Sequence, residues 1–275
     1  MFANDERMQE LKRQEIKRRK KRNIKLGGIV LACICAIVLF CNALLPPIKK
    51  TIFIAKYGQE IYDMVGLVEE GKTIKFGRYE QDNNFENGKD EIEWYVYKVE
   101  GDRALVISKY ALDCKPYHKS NNLRNSDLIT WANCSLREWL NNDFYDIAFT
   151  EKEKAMIPQV THSKKTEPKF SDSIFLEYTT EDYIFLWSLE DERLIPILES
   201  EKPRQCAATP FARMKGVQID DSGYTQWWLR DVQYEYHTSL DPLASCITSS
   251  GIEWRCKVEQ NQIAVRPALW IDLKP

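Results

Sequence analysis

Residues 26–45 constrain this chain more than any other stretch: twenty consecutive residues, nearly all apolar, with Asn42 the only strongly polar one. As a helix, about 20 such residues reach across a bilayer core of about 30 Å. The run follows Lys17-Arg18-Arg19-Lys20-Lys21-Arg22, and clustered basic residues stay on the cytoplasmic side. The expected organisation is a basic cytoplasmic tail at 1–25, one transmembrane helix at 26–45, a stalk at 46–70 and an extracytoplasmic α+β domain at 71–275. A cleaved signal peptide carries an apolar core of about 7–15 residues and a small-residue cleavage site. Here the run is longer and Pro46-Pro47-Ile48-Lys49-Lys50 follows it, so an uncleaved anchor is expected. Val30-Leu31-Ala32-Cys33 has the outline of a lipoprotein cleavage motif but lies too near the start of the run. A buried soluble helix is a poorer reading, because 26–45 has no polar face.

Charge divides the chain the same way. Residues 1–25 hold ten Lys/Arg and four acids, and the net charge of −2 therefore leaves −8 for the rest. The basic tail is read as a topology signal that touches anionic lipid, not as a nucleic-acid arm. The acidic remainder argues against nucleic acid as an electrostatic partner.

About 200 residues beyond the stalk suffice for one domain with a proper core. All eight tryptophans fall there; most are expected in the core, and a few as ligand-stacking platforms. Three of the eight cysteines (Cys33, Cys35, Cys41) lie in the apolar run, where they act as small apolar residues. Five remain: Cys114, Cys134, Cys206, Cys246 and Cys256. An odd number leaves at least one free or paired between chains. Cys246 and Cys256 flank a turn around Gly251 and are the first candidate pair. No C-x-x-C and no zinc spacing occurs, and His118, His162 and His237 are scattered.

Periodicity supplies the elements. Ile54, Tyr57, Ile61, Met64, Val65 and Val68 recur at helical steps in the stalk. A short strand is expected at 73–76, ended by Gly77. Residues 92–99 and 103–108 are rich in β-formers around Gly101-Asp102, a two-residue hairpin signal. Ser135 and Glu138 form a capping box for a helix over 135–149, and Thr150 with Glu153 starts a second, stopped by Pro158. Residues 159–182 read as a polar loop, 183–188 as a compact apolar strand, 209–212 as a short element and 226–230 as a Trp-rich strand. Residues 233–248 read as irregular. Residues 263–271 form a closing strand interrupted by Pro267, which suggests an edge or a bulge.

Several motifs then line up in order. They are Ile74-x-Phe76-Gly77-x-Tyr79-x-Gln81-Asp82, Ile92-x-Trp94 and Ser108-Lys109-Tyr110-x-Leu112-Asp113. Next come Leu136-Arg137-x-Trp139-Leu140-Asn141 with Phe144-Tyr145, and Phe185-Leu186-x-Ser188. Trp227-Trp228-Leu229-Arg230 and Val265-Arg266-Pro267-Ala268-Leu269 complete the set. Together, over roughly 71–273, this resembles an uncharacterised bacterial domain family catalogued as a domain of unknown function. Its closing motifs are similar to those of sulfatase-modifying-factor and C-type-lectin-like folds. The resemblance implies an α+β, C-type-lectin-like domain: two helices near the front, twisted antiparallel strands and long site-bearing loops. Asp231-Val232 stands where the family usually has Ser or Ser-Pro, and Ala264 where it has Gly.

Candidate chemistry is sparse. Formylglycine-generating enzymes bind copper through a late cysteine pair on a similar fold, but the surroundings of Cys246 and Cys256 do not match that pattern. The sugar-binding tripeptides of calcium-dependent lectins are absent. Asp220-Asp221 and Asp82-Asn83-Asn84 could offer oxygen ligands; solvated turns explain them more simply. Arg230 and Arg266 sit among apolar residues and need partners, with a structural bridge to Asp113 or Glu138 favoured over an anionic ligand. There is no G-x-S-x-G, phosphate loop or H-E-x-x-H.

The leading expectation is a membrane-anchored domain that binds an envelope glycan, peptide or protein. Its binding face would draw on Asp220, Asp221, Tyr224, Trp227, Trp228 and Arg230, with no catalytic residue, metal or cofactor. An oxidase or hydrolase on the same fold is the alternative. A structural envelope protein, a homo-oligomer through the stalk, is the third reading.

Overall fold

The computed structural model describes residues 2–119, 128–165, 176–189, 204–234 and 242–274. The chain divides into two compact units, Met1–Lys56 and Tyr57–Pro275. The first belongs to one helix, Phe2–Tyr57. Leu26, Ile29 and Leu31 are each more than half exposed on it. Among the described residues, no helix is long and apolar enough to cross a membrane. The transmembrane helix expected at 26–45 is therefore not found. The apolar run is instead the middle of a much longer helix that also carries Lys17–Arg22 and Lys49-Lys50.

In the second unit, Gly58 (φ 101°) precedes a short helix, Gln59–Val65, on which Ile61 and Met64 are buried. The stalk periodicity thus marks a packing face. A four-stranded antiparallel sheet follows: β1 (Thr73–Tyr79), β2 (Asp90–Glu100), β3 (Arg103–Ser108) and the last strand, β13 (Ala268–Asp272), in the order β1-β2-β3-β13. In β2, Ile92, Trp94 and Val96 alternate inward, the pattern of a half-buried strand. Gly101 (φ 58°) takes the left-handed conformation that the two-residue β2–β3 turn demands. Gly77 does not end β1: the strand continues to Tyr79 through a shift in register between Lys75 and Arg78.

The second sheet has the order β11-β10-β9-β12-β4. It combines β4 (Asp113–Cys114), β9 (Trp227–Tyr234), β10 (Pro242–Ile247), β11 (Glu253–Lys257) and β12 (Ala264–Val265). The expected closing strand is split between the sheets: Ala264–Val265 pairs in this one and Ala268–Asp272 in the other. Pro267 stands at the switch because it has no N–H to give to a ladder, while its carbonyl accepts from Ser108 N at 2.9 Å. Arg266 is buried beside it, donating from Nε to Ser108 O at 2.9 Å, with its guanidinium 4.9 Å from the centre of the Trp227 ring.

Two small ribbons complete the strands: β5 (Val160–Lys165) with β6 (Glu177–Asp182), and β7 (Cys206–Ala207) with β8 (Tyr224–Thr225). The first lies where a polar loop was expected. Conversely, residues 183–188 form no strand, although 184–188 are buried; Phe185 alone bridges to Ala268. The helical stretch from Ser135 contains a π turn at Leu140–Phe144 between Ser135–Trp139 and Tyr145–Ala148. Its N-cap is Cys134 rather than Ser135: the sulfur accepts from Arg137 N. Thr150 and Glu153 do form the expected capping box. Trp94, Trp131, Trp187, Trp227 and Trp228 are fully buried, so most of the tryptophans fill the core.

Candidate functional site

The residues expected to bind ligand lie together in sequence but differ in setting. Trp227 and Trp228 are fully buried. Their indole N–H groups donate to Arg204 O and Lys115 O, both at 2.9 Å. They occupy β9, a strand interior to its sheet, and both sheet faces are covered, so adjacent residues are both inside. Neither ring is open to solvent. Arg230 donates to Leu186 O at 2.9 Å, and its own carbonyl accepts from the buried Tyr117 hydroxyl at 2.7 Å. Asp220 is turn-forming, accepting from Ser222 N and Tyr224 N at 2.9 Å each. Asp221 is exposed and Tyr224 half-buried.

A different place on the surface gathers charge around a cavity. The β1–β2 hairpin closes with Tyr79 opposite Asp90, so residues just beyond Tyr79 meet Asp90 at the base of the loop. One carboxylate oxygen each from Glu80, Asp82 and Asp90 lies within 4.8 Å of the others. The loop is self-supported. Asp90 Oδ2 accepts from Gln81 N (3.0 Å) and Asp82 N (3.1 Å). Asp82 accepts from Asn84 N (2.8 Å) and the Asn87 side-chain amide (2.7 Å). Glu80 accepts from Asn84 N at 2.9 Å. Asn83 takes a left-handed φ of 64°, which asparagine tolerates. These partners are all neutral donors. The Asn87 amide, then the Asn84 N–H, holds the Asp82 carboxyl below its ordinary range, against a smaller opposing effect of desolvation.

The cleft beside this cluster has a volume of about 380 Å³. Gln81, Asp82, Asp90 and Glu93 line it together with Tyr110 and Arg213. Thr209 lines it too, and caps the helix Pro210–Met214 through Ala212 N at 3.1 Å. Phe211 N donates to Gln81 O at 2.9 Å, which ties that helix to the loop. Phe85 projects beside the same helix, 69% exposed and edge-on to Phe211. Glu91 is paired with Lys75 and Glu93 with Lys109, each at 2.8 Å. The Glu93 carboxylate pushes the Lys109 ammonium up to about 12. An all-oxygen set such as Glu80, Asp82 and Asp90 has the donor chemistry that hard cations take.

A family model described as a domain of unknown function (DUF6273) matches residues 101–273. The chain belongs to this family. No curated protein and no solved structure matches it, so the expected C-type-lectin-like architecture gains no support beyond the α+β class. The DUF6273 match contains Tyr110 and Arg213 of the cleft, while its acidic residues precede the match.

Inside the DUF6273 domain the polar motif residues do structural work. Arg137 Nε meets the fully buried Asp182 carboxylate at 2.5 Å. The other Asp182 oxygen accepts from Trp131 Nε1 (2.9 Å) and Thr180 Oγ1 (2.7 Å). Asn141 accepts from Tyr183 N and Ile184 N and donates to Ile184 O. These bonds hold 183–188 in place without a strand ladder. Asp113, expected to bridge an arginine, instead accepts from Tyr79 OH at 2.6 Å. Finally, Cys246 and Cys256 are free thiols with sulfurs 3.1 Å apart.

The sequence reading missed Glu80, Asp90, Glu93, Tyr110 and Arg213. Asp82 was visible as an oxygen donor. Its partners needed the hairpin register, which the turn signals at Asn83-Asn84 and Asn87-Gly88 bracket but do not specify.

Proposed function

We propose that this DUF6273 protein is a ligand-binding protein whose site is the acidic cleft between the 80–90 loop and the helix Pro210–Met214. Its ligand is a peptide or protein segment that presents lysine or arginine. The observation that carries this reading is that Asp82 and Asp90, on the wall of a cavity of about 380 Å³, accept from backbone N–H groups and the Asn87 amide and form no ion pair among the described residues. Carboxylates without a cationic partner are open to an incoming one, and a concave wall concentrates their field. Tyr110 on the cleft wall and the exposed Phe85 nearby offer aromatic surface to the aliphatic stem of such a side chain.

The test is fluorescence anisotropy of labelled tetralysine and tetraglutamate peptides against the full chain. Tetralysine is expected to bind saturably, weakening as salt rises, and Asp82→Asn is expected to weaken it about 5-fold or more, the scale of losing one charged partner. Preference for tetraglutamate, or tetralysine binding unchanged in Asp82→Asn, would overturn the proposal.

A further inference from the structure

Five cysteines lie outside the long helix, and three of them have main-chain partners. Cys114 Sγ donates to Asn261 O at 3.0 Å, Cys134 Sγ contacts Trp131 O at 3.5 Å, and Cys206 Sγ contacts Lys109 O at 3.8 Å. Cys246 and Cys256 instead meet each other, Sγ to Sγ, at 3.1 Å. They stand on neighbouring antiparallel strands, two residue pairs out of direct opposition: Cys246 faces Trp254 and Cys256 faces Ala244. Both point to the same face of the hairpin, as residues two apart on a strand pair do. The Gln226 side-chain amide donates to both sulfurs, at 2.9 and 3.0 Å.

The spacing discriminates between two uses of a thiol pair. A metal ion held tetrahedrally by two thiolates at about 2.3 Å keeps its sulfurs about 3.8 Å apart, so the pair would have to open. A disulfide at about 2.05 Å needs it to close by about 1 Å. The sulfurs already sit inside the metal distance. We propose that Cys246 and Cys256 are a site of covalent modification that closes to an intramolecular disulfide, stapling β11 to β10.

The two thiols are not equivalent. Hydrogen bonds from the Cys246 thiol and then the Gln226 amide favour the Cys256 thiolate against desolvation, while Cys246 is pushed up by the same contact and by burial. Cys256 also stands on β11, the edge strand of its sheet, where local opening exposes it first. The Cys256 thiolate therefore attacks a low-molecular-weight disulfide. The S–S bond of that reagent breaks, one small thiolate leaves and takes up a proton, and Cys256 carries a mixed disulfide. Cys246 then gives its proton to solvent and attacks Cys256 Sγ. The intramolecular bond forms, and the second small thiolate leaves and is protonated. Two cysteine sulfurs are oxidised and one small disulfide is reduced to two thiols.

The experiment uses the full chain, fully reduced, then incubated with glutathione disulfide, quenched in acid, alkylated and digested with trypsin. Cleavage after Arg255 places the two cysteines on separate peptides, so a bond between them is visible by mass. The expected result is that the Cys246–Cys256 linked peptide pair is the dominant oxidised species while Cys114, Cys134 and Cys206 are alkylated. Alkylation of both Cys246 and Cys256, a persistent glutathione adduct on either, or a dominant link to another cysteine would overturn the proposal.

Discussion

Gly77 sits where no side chain fits. Its φ is +73°, and a Cβ added there would lie 2.5–2.9 Å from the Phe149 ring and Ala148 O. Its N–H donates to Glu153 Oε1 at 3.0 Å. Both the left-handed backbone and the close approach require glycine. Gly77→Ala is expected to cost about 2–3 kcal/mol, read as a lower urea midpoint at unchanged slope; an unchanged midpoint would contradict this packing. The same scale explains how the aromatic signal at 227–228 misleads. A Trp-Trp pair has the composition of a binding platform and of a core. On a two-faced central strand both rings are buried, and only the position of β9 within its sheet decides that. Arg230 and Arg266 show the converse. Their need for partners was legible, but their partners include the carbonyls of Leu186 and Ser108, which carry no sequence signature.

At the scale of elements, legibility followed local chemistry. The β2–β3 hairpin was readable because Gly101-Asp102 and the flanking β-formers act within a few residues of each other. The Thr150–Glu153 capping box was readable for the same reason. The β5–β6 ribbon was not: Val160–Lys165 alternates only between half-buried and exposed side chains, most of them polar, so no apolar period announces it. The start of the Ser135–Trp139 helix has a further dependence. His118 Nδ1 accepts from Ser135 N at 3.3 Å, which requires that nitrogen to be unprotonated. Burial holds the His118 pKa below its ordinary value, with Glu259 opposing. When a histidine is depressed on folding, the unfolded chain takes up the proton first as pH falls. The contribution is therefore whole above about pH 6.5 and declines as pH falls through the folded value. Urea midpoints measured at pH 7.5 and 5.5 are expected to show lower stability at the acid end, with His118→Gln reducing the difference. An equal difference in both proteins would contradict the contact's role.

At the scale of the whole molecule, the two sheets exchange a chain segment at Arg266-Pro267, and the acidic cleft lies at the hairpin end of the four-stranded sheet. The α+β class was legible from the mixture of capped helices and short β-rich runs. The cleft was not, because it forms between a loop at 80–90 and a helix at 210–214 that are remote in sequence. The measurement that bears most directly on the cleft as binding site is amide hydrogen exchange of the full chain with and without saturating tetralysine peptide. Slowed exchange confined to 80–91 and 207–213 is the expected result. Slowed exchange at 220–228 instead, or at neither place, would contradict the assignment of the site.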